Sequence, residues 1–306
     1  MAWKVNSIRN LLLVAMVILL LSASAHGVEP AISLPQAGGG HIQLSEPAEN
    51  IVTLAPNLAE LVFAAGAGHK LKGVVKHSRF PAAVQDIAKV GDAFRIDLER
   101  IIEMAPDLVI AWRSGNPQTA LQKLEQLGLR VWQIEIEHPH EIAQAVESIA
   151  LAAGTSPTGK IVAARLRARL AELEQANTHK PGVDYFYQVA AQPLYTVNGE
   201  HIISRSLAIC GGRNVFADLV SLAPQISKES VIVANPEVML APQSNEAESG
   251  LDNWLDWPQL RAVKNHSLLY LPADQISQAT PRLLDSIELA CKLFDRLRQK
   301  THPSEA

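Results

Sequence analysis

Short apolar runs alternate along this chain with longer stretches whose apolar residues return every three or four positions, the pattern of strands and helices taken in turn. Residues 51–54, 71–75, 107–112 and 129–136 read as strands. Residues 57–65, 98–104, 117–127 and 141–153 read as helices, three of them closed by Gly66, Gly128 and Gly154. After Pro181-Gly182 the alternation restarts. It predicts a strand over 184–191, helices over 202–209 and 228–233, strands over 237–241 and 268–271, and a terminal amphipathic helix over 281–298. A polar loop fills 242–253. Alternation of this kind predicts an α/β protein with mostly parallel sheets. Between the halves, residues 157–175 are good helix formers almost throughout, with Ile161, Leu166, Leu170 and Leu173 as one apolar stripe on a charged rod. Such a helix is a stiff backbone joining two lobes; the plainer alternative is one more covering helix on a single sheet.

Two segments repeat each other in different letters. Residues 97–111 and 227–241 align without a gap. Each has a capping residue (Asp97, Ser227), a glutamate two positions on (Glu99, Glu229), a short apolar helix, a proline (Pro106, Pro236) and a strand. The repeat implies two similar Rossmann-like lobes with a ligand cleft between them, each lobe presenting one carboxylate at an equivalent place. A carboxylate in a first helical turn gains about 0.3–1 kcal/mol from the helix dipole, which explains either glutamate alone. As a matched pair they suit a two-fold symmetric basic partner. The expected division is a signal sequence over 1–25, a loose Gly- and Pro-rich leader over 26–48, an N-terminal lobe over 49–156, the connecting helix over 157–180, and a C-terminal lobe over 181–306.

Composition narrows the class. The chain has 306 residues, 48% of them hydrophobic and 19% charged, with a net charge of −4. That is a globular balance without the basic surface nucleic acid requires. The first residues stand apart: Lys4 and Arg9 precede an apolar run over 11–21, which ends in Ala23-Ser24-Ala25. This is the form of a secretory signal cut after Ala25; a membrane anchor would need a longer run to cross ~30 Å of hydrocarbon. In an exported, oxidising compartment the even pair Cys210 and Cys291 reads as a disulfide rather than two buried thiols.

Ligands of open parallel sheets lie beyond the carboxyl ends of the strands. The strand over 107–112 ends at Trp112, followed by Arg113-Ser114-Gly115-Asn116, so an indole beside a glycine turn is offered to a flat, apolar ligand edge. Phe80, Phe94 and Tyr195 also fall in loops after strands. Among the histidines, His138 and His140 with Glu141 have poor spacing for one metal ion and read as helix capping. His77 follows a strand and is the candidate axial ligand for a bound metallo-cofactor. The nucleophile-elbow, phosphate-loop, dinucleotide and zinc-protease motifs are all missing from the sequence, which favours a binding protein over an enzyme.

Several strings then point to a family. They are residues 51–66 (Ile-Val-Thr-Leu-Ala-Pro-Asn-Leu-Ala-Glu-Leu-Val-Phe-Ala-Ala-Gly), 98–101, 106–116 (Pro-Asp-Leu-Val-Ile-Ala-Trp-Arg-Ser-Gly-Asn), 210–216, 224–227 and 279–282 (Ala-Thr-Pro-Arg). The chain resembles the periplasmic substrate-binding proteins of ABC importers whose lobes are joined by one rigid helix, in particular the cobalamin-binding ones. The resemblance covers about residues 50–295. It implies the class III binding-protein fold and periplasmic location. It also implies a monomeric carrier, without a cofactor or metal of its own, that passes a corrinoid to an inner-membrane permease dimer. By the same resemblance, Glu99 and Glu229 match carboxylates that engage permease arginines, and Cys210 and Cys291 match the family's disulfide. The implied ligand contacts are Trp112, Tyr195, His77 and the segment Asp274, Gln275, Ile276, Ser277 and Gln278, beside which Phe80 and Phe94 stand as cleft candidates from their place in loops after strands. Of that segment only Asp274 is shared with the cobalamin binders, and Ala93 and Ala223 stand where their cleft has tryptophans. Haem and ferric-siderophore carriers share the opening strand and helix and form the alternative ligand class; an exported metal-dependent hydrolase is the alternative from outside the binding proteins.

Overall fold

A computed structural model of the protein describes residues 32–243 and 250–301. The expected signal sequence over 1–25, its cleavage point and the first part of the leader lie outside the described residues. Residues 32–48 are not the loose leader expected. They begin with an antiparallel hairpin, β1 (Ile32–Pro35) and β2 (His41–Leu44), turned by three glycines at positive φ, Gly38 to Gly40. The hairpin holds because Leu34 and Leu44 are buried in the lobe's core. The Trp132 indole N–H also donates to the Pro35 carbonyl at 2.8 Å, and the Ala37 N–H to the Gln133 carbonyl at 2.8 Å.

The N-terminal sheet contains β3 (Ile51–Thr53), β4 (Leu71–Val74), β5 (Ala88–Lys89), β6 (Leu108–Trp112) and β7 (Val131–Ile134), all parallel, in the order β5-β4-β3-β6-β7. Helices α1 (Pro56–Ala64), α2 (Leu98–Glu103), α3 (Gln118–Gln126) and α4 (Glu141–Ala152) cover it. Both faces are buried: Leu58, Leu61, Ile142 and Ile149 pack on one, and Val52, Leu54, Leu121 and Leu124 on the other. That is why the strands read as continuous apolar runs rather than alternating ones.

The linking helix, α5 (Ser156–Asn177), starts one residue before the expected connecting helix and ends inside its bounds, with Pro157 in its first turn, where a missing N–H costs nothing. Its apolar stripe is Val162, Leu166, Leu170 and Leu173. Ile161, placed on the stripe by sequence, is 55% exposed. Three or four residues, not five, bring a helical position back to the face of Leu166, so Val162 takes that place. On the N-terminal side α5 meets α4 at Gly159, where an added Cβ would lie 2.2 Å from the Ala150 Cβ.

Beyond it come β8 (Val183–Tyr187), the small antiparallel pair β9 (Ala190–Ala191) and β10 (Leu194–Tyr195), and β11 (Gly212–Asn214), with α6 (Ile202–Ala208) before β11. Then follow α7 (Lys228–Ala234), β12 (Val238–Gln243), α8 (Arg261–Lys264), β13 (Leu268–Pro272), α9 (Ala273–Ile276) and α10 (Leu283–Thr301). The second sheet is again parallel, ordered β11-β8-β12-β13. The predicted strand over 184–191 is thus two strands. The polar loop over 242–253 is narrower than expected, since β12 continues through Gln243 and a 3-10 turn occupies Leu251–Asp256 with Trp254 buried. Arg169 of α5 bonds Asp285 and Glu288 of α10, each at 2.6 Å, and the Cys210–Cys291 disulfide ties the residues after α6 to α10. Among the described residues no helix is long and apolar enough to cross a membrane.

Candidate functional site

The first sheet changes direction between β3 and β6, since later strands add on either side of that pair, and ligands favour such a switch point. Asn116 organises it. Its buried side chain accepts the Trp112 N–H at 2.7 Å and donates to the Leu54 carbonyl at 2.8 Å and the Ala93 carbonyl at 3.1 Å. One amide thereby joins the loops after β3, β5 and β6. Trp112 is half-buried beside it, and its indole N–H donates to Ser114 Oγ at 2.9 Å. Ser114 in turn donates twice to Glu135, from N at 2.9 Å and from Oγ at 3.0 Å. Burial raises the Glu135 carboxyl above its usual range, against the pull of those two bonds.

These residues form one wall of a cleft of about 1230 Å³ between the lobes. Asn57, Phe94 and the hairpin turn at Gly38 complete the N-terminal wall; His201, Ile202, Leu222, Ser277, Gln278 and Ala279 supply the facing one. His201 caps α6 by accepting the Ile203 N–H on Nδ1 at 3.2 Å, and burial lowers its pKa from the ordinary histidine value. That bond assigns the remaining proton of the neutral ring to Nε2. Arg205 crosses from the second lobe to donate to the Glu137 carbonyl at 3.1 Å, with the Glu137 carboxylate at 3.6 Å, and also pairs with Glu200. Behind the lining residues, Arg282 grips Glu60 of α1 through two bonds of 3.0 Å each. Both partners are largely buried, so the lobes are stapled beneath the cleft as well as linked by α5.

Of the residues singled out in the sequence, Trp112, Phe94, Ser277 and Gln278 meet on this cleft. Phe94 is 78% exposed at its rim. The others are elsewhere. Phe80 lies under the Arg282 guanidinium, 4.1 Å from ring centre to Cζ, and Asp274 pairs with Arg282 at 2.6 Å. Gln275 accepts from the Ser286 hydroxyl at 3.4 Å. Ile276 is fully buried in the second lobe's core, which corrects its place among the ligand contacts. Tyr195 bridges to Gln225 and does not line the cleft, and His77 sits exposed at positive φ in the loop after β4. His138 donates its backbone N–H to Glu141, while His140 pairs with Glu174 at 2.8 Å. Glu99 and Glu229 are exposed in the first turns of α2 and α7, the latter held below the usual carboxylate range by backbone and Ser227 hydrogen bonds.

Sequence reasoning missed Asn116, Glu135, His201 and Arg205. Asn116 stood inside a string already recognised, and its distance of four from Trp112 fits a side chain that closes a turn. For the other three the chain offered no periodic signal.

The arrangement is that of a two-lobed binding protein with an interlobe cleft. The chain belongs to the periplasmic binding protein family, whose model matches residues 51–275. It is 36% identical over 255 residues to the vitamin B12-binding protein of Vibrio campbellii, covering 83% of this chain and 92% of that one. To the vitamin B12-binding protein of Photorhabdus laumondii it is 34% identical over 246 residues, 79% of this chain and 86% of the other. Among solved structures, the periplasmic vitamin B12 binding protein of Vibrio cholerae superimposes with a TM-score of 0.77 at 34% identity, over 83% of this chain and 99% of that chain. The periplasmic haem-binding protein of the same species, at 20% identity and a TM-score of 0.70 over 80% of this chain and 98% of that one, shares the fold.

Proposed function

We propose that this protein is a non-enzymatic periplasmic carrier that captures cobalamin or a related corrinoid between its lobes and delivers it to an ABC permease in the inner membrane. The observation that carries this reading is the cleft: about 1230 Å³, opening at a sheet switch point, with the Trp112 ring on its wall and polar groups placed around it. A corrinoid is a broad, partly apolar ring fringed with amides. Trp112, Phe94 and Leu222 supply apolar area for its ring, while Asn57, His201, Ser277 and Gln278 supply hydrogen-bonding partners for its fringe. The identity to vitamin B12-binding relatives supports the ligand class. Glu99 and Glu229 sit one on each lobe at equivalent positions of the repeat, and they suit docking onto paired arginines of a permease dimer.

Calorimetric titration with cyanocobalamin, cobinamide and haemin side by side tests the ligand. Saturable one-to-one binding of the corrinoids is expected; binding of haemin alone would overturn the reading. For the docking role, Glu99→Ala with Glu229→Ala is expected to abolish carrier-stimulated ATP hydrolysis by the permease while leaving cyanocobalamin affinity unchanged. Stimulation equal to that of the wild type would remove these two residues from the interface.

A further inference from the structure

We propose that Glu135 is a positioning residue of the cleft: it holds Ser114, and through Ser114 the Trp112 indole, in the orientation that receives the ligand. The proposal rests on the ligand-binding reading above and adds to it a residue that the sequence did not single out.

The polarity of the hydrogen bonds carries the argument. An indole N–H can only donate, so Ser114 Oγ must accept from Trp112 at 2.9 Å. A hydroxyl has a single proton, and a carboxylate can only accept. The Ser114 hydroxyl proton therefore goes to Glu135 Oε1, 3.0 Å away, and the Ser114 backbone N–H goes to Oε2 at 2.9 Å. Glu135 thus takes both donors of Ser114, one on each oxygen, and turns the hydroxyl's lone pairs toward the indole. Without it the hydroxyl is free to rotate and to present its proton to the ring nitrogen, which cannot accept it.

The other side of the ring is fixed by the turn itself. A Cβ on Gly115 would lie 2.7 Å from Trp112 Cδ1, so the indole rests directly against the backbone there. Glu135 follows β7 whereas Trp112 ends β6, so the relay also ties two neighbouring strand ends together. Its members lie on the cleft wall, with Ser114 exposed and Trp112 and Glu135 half-buried; this is a surface of the site and not part of the core. A ring held in place before the ligand arrives spares the ordering cost that a loose one imposes at binding.

Glu135→Gln, Ser114→Ala and Trp112→Phe, singly and in pairs, test the proposal by calorimetry with cyanocobalamin and by the nitrogen-15 indole N–H resonance of Trp112 in the free protein. Glu135→Gln and Ser114→Ala are each expected to weaken binding about tenfold, the size of one hydrogen bond's net worth, and to shift the Trp112 indole signal while the other indoles stay. Added to Trp112→Phe, neither is expected to weaken binding further, because the three act as one unit. Full additivity in the Trp112→Phe background, or an unshifted indole signal in Glu135→Gln, would overturn the relay. Ser114→Ala reports on the same relay should Glu135→Gln fail to fold. Failure of the wild-type protein to bind cyanocobalamin would sink the ligand reading and the positioning role with it, and the indole signal of the free protein would tell that failure from a broken relay.

Discussion

Asp107 and Glu237 perform one task in the two lobes. Asp107 Oδ2 accepts the backbone N–H groups of Glu49 and Asn50 at 2.9 and 2.8 Å, and Glu237 Oε2 accepts that of Asp184 at 2.9 Å. Each follows the proline of its repeat, and each clips the entrance of a central strand, β3 or β8. The backbone replies in the same way, with Asp107 N–H donating to the Asn50 carbonyl and Glu237 N–H to the Asp184 carbonyl. The internal repeat therefore extends past helix and strand to a shared hydrogen-bonding device.

Removing the clip leaves backbone donors to find water. Asp107→Ala and Glu237→Ala are each expected to lower stability by about 1–3 kcal/mol, read from urea unfolding at neutral pH. A change near zero would mean that solvent already serves those N–H groups.

The staple beneath the cleft is the more severe case. Glu60 is buried and its partner Arg282 nearly so. Arg282→Met is expected to cost about 3–5 kcal/mol because Glu60 stays buried without its partner, and Glu60→Gln less, since Arg282 keeps Asp274 at 2.6 Å. Glu60→Leu with Arg282→Met together is expected to recover most of the loss in thermal unfolding. If the double variant is as unstable as the sum of the singles, the damage lies in packing around Phe80 and not in the lost pair.

Helix packing makes a third prediction. Gly159→Ala places a methyl group against Ala150 at a distance real atoms do not adopt, so α4 and α5 must separate. The expected loss is about 1–3 kcal/mol, with Ala150→Gly restoring much of it in the same background. Rescue distinguishes a steric clash from an effect of helix propensity, since glycine for alanine within a helix would otherwise lower stability again.

Acidification acts through His201. Burial lowers its folded pKa, so the folded state prefers the neutral ring, and Nδ1 must remain unprotonated to cap α6. This contribution is fully present above the ordinary histidine pKa of about 6.5 and is lost as pH falls through that value toward the lower folded one. His201→Asn keeps a good cap without a titrating group, and it is expected to flatten the fall in melting temperature between about pH 7 and 5. An unchanged slope would assign the acid sensitivity to other groups.

Most of the architecture was legible because buried parallel strands and glycine-closed helices leave plain marks. The repeat also disclosed its two lobes through Asp97, Glu99, Pro106 and their counterparts. What escaped has physical reasons. The hairpin at 32–44 hid behind its glycines, although Leu34 and Leu44 alternate with polar neighbours as a half-buried strand should. A spacing of five residues admitted Ile161 to the stripe of α5, whereas helical geometry puts Val162 on that face. The site was harder still. Phe80 was expected at the cleft from its place in a loop after a strand, and Asp274 from the family resemblance, but a single arginine three residues beyond Ala279 claims both. His201 and Arg205 reach the cleft only through a tertiary arrangement that neither repeat nor period encodes.

Arg282 also bears on how cargo leaves. The Glu60–Arg282 pair clasps the two halves behind the cleft, so a wide swing like a hinged jaw would have to break a largely buried ion pair. Unloading is then expected to part the upper lips while the root stays shut, more like a wedge driven into a split log than the opening of a book.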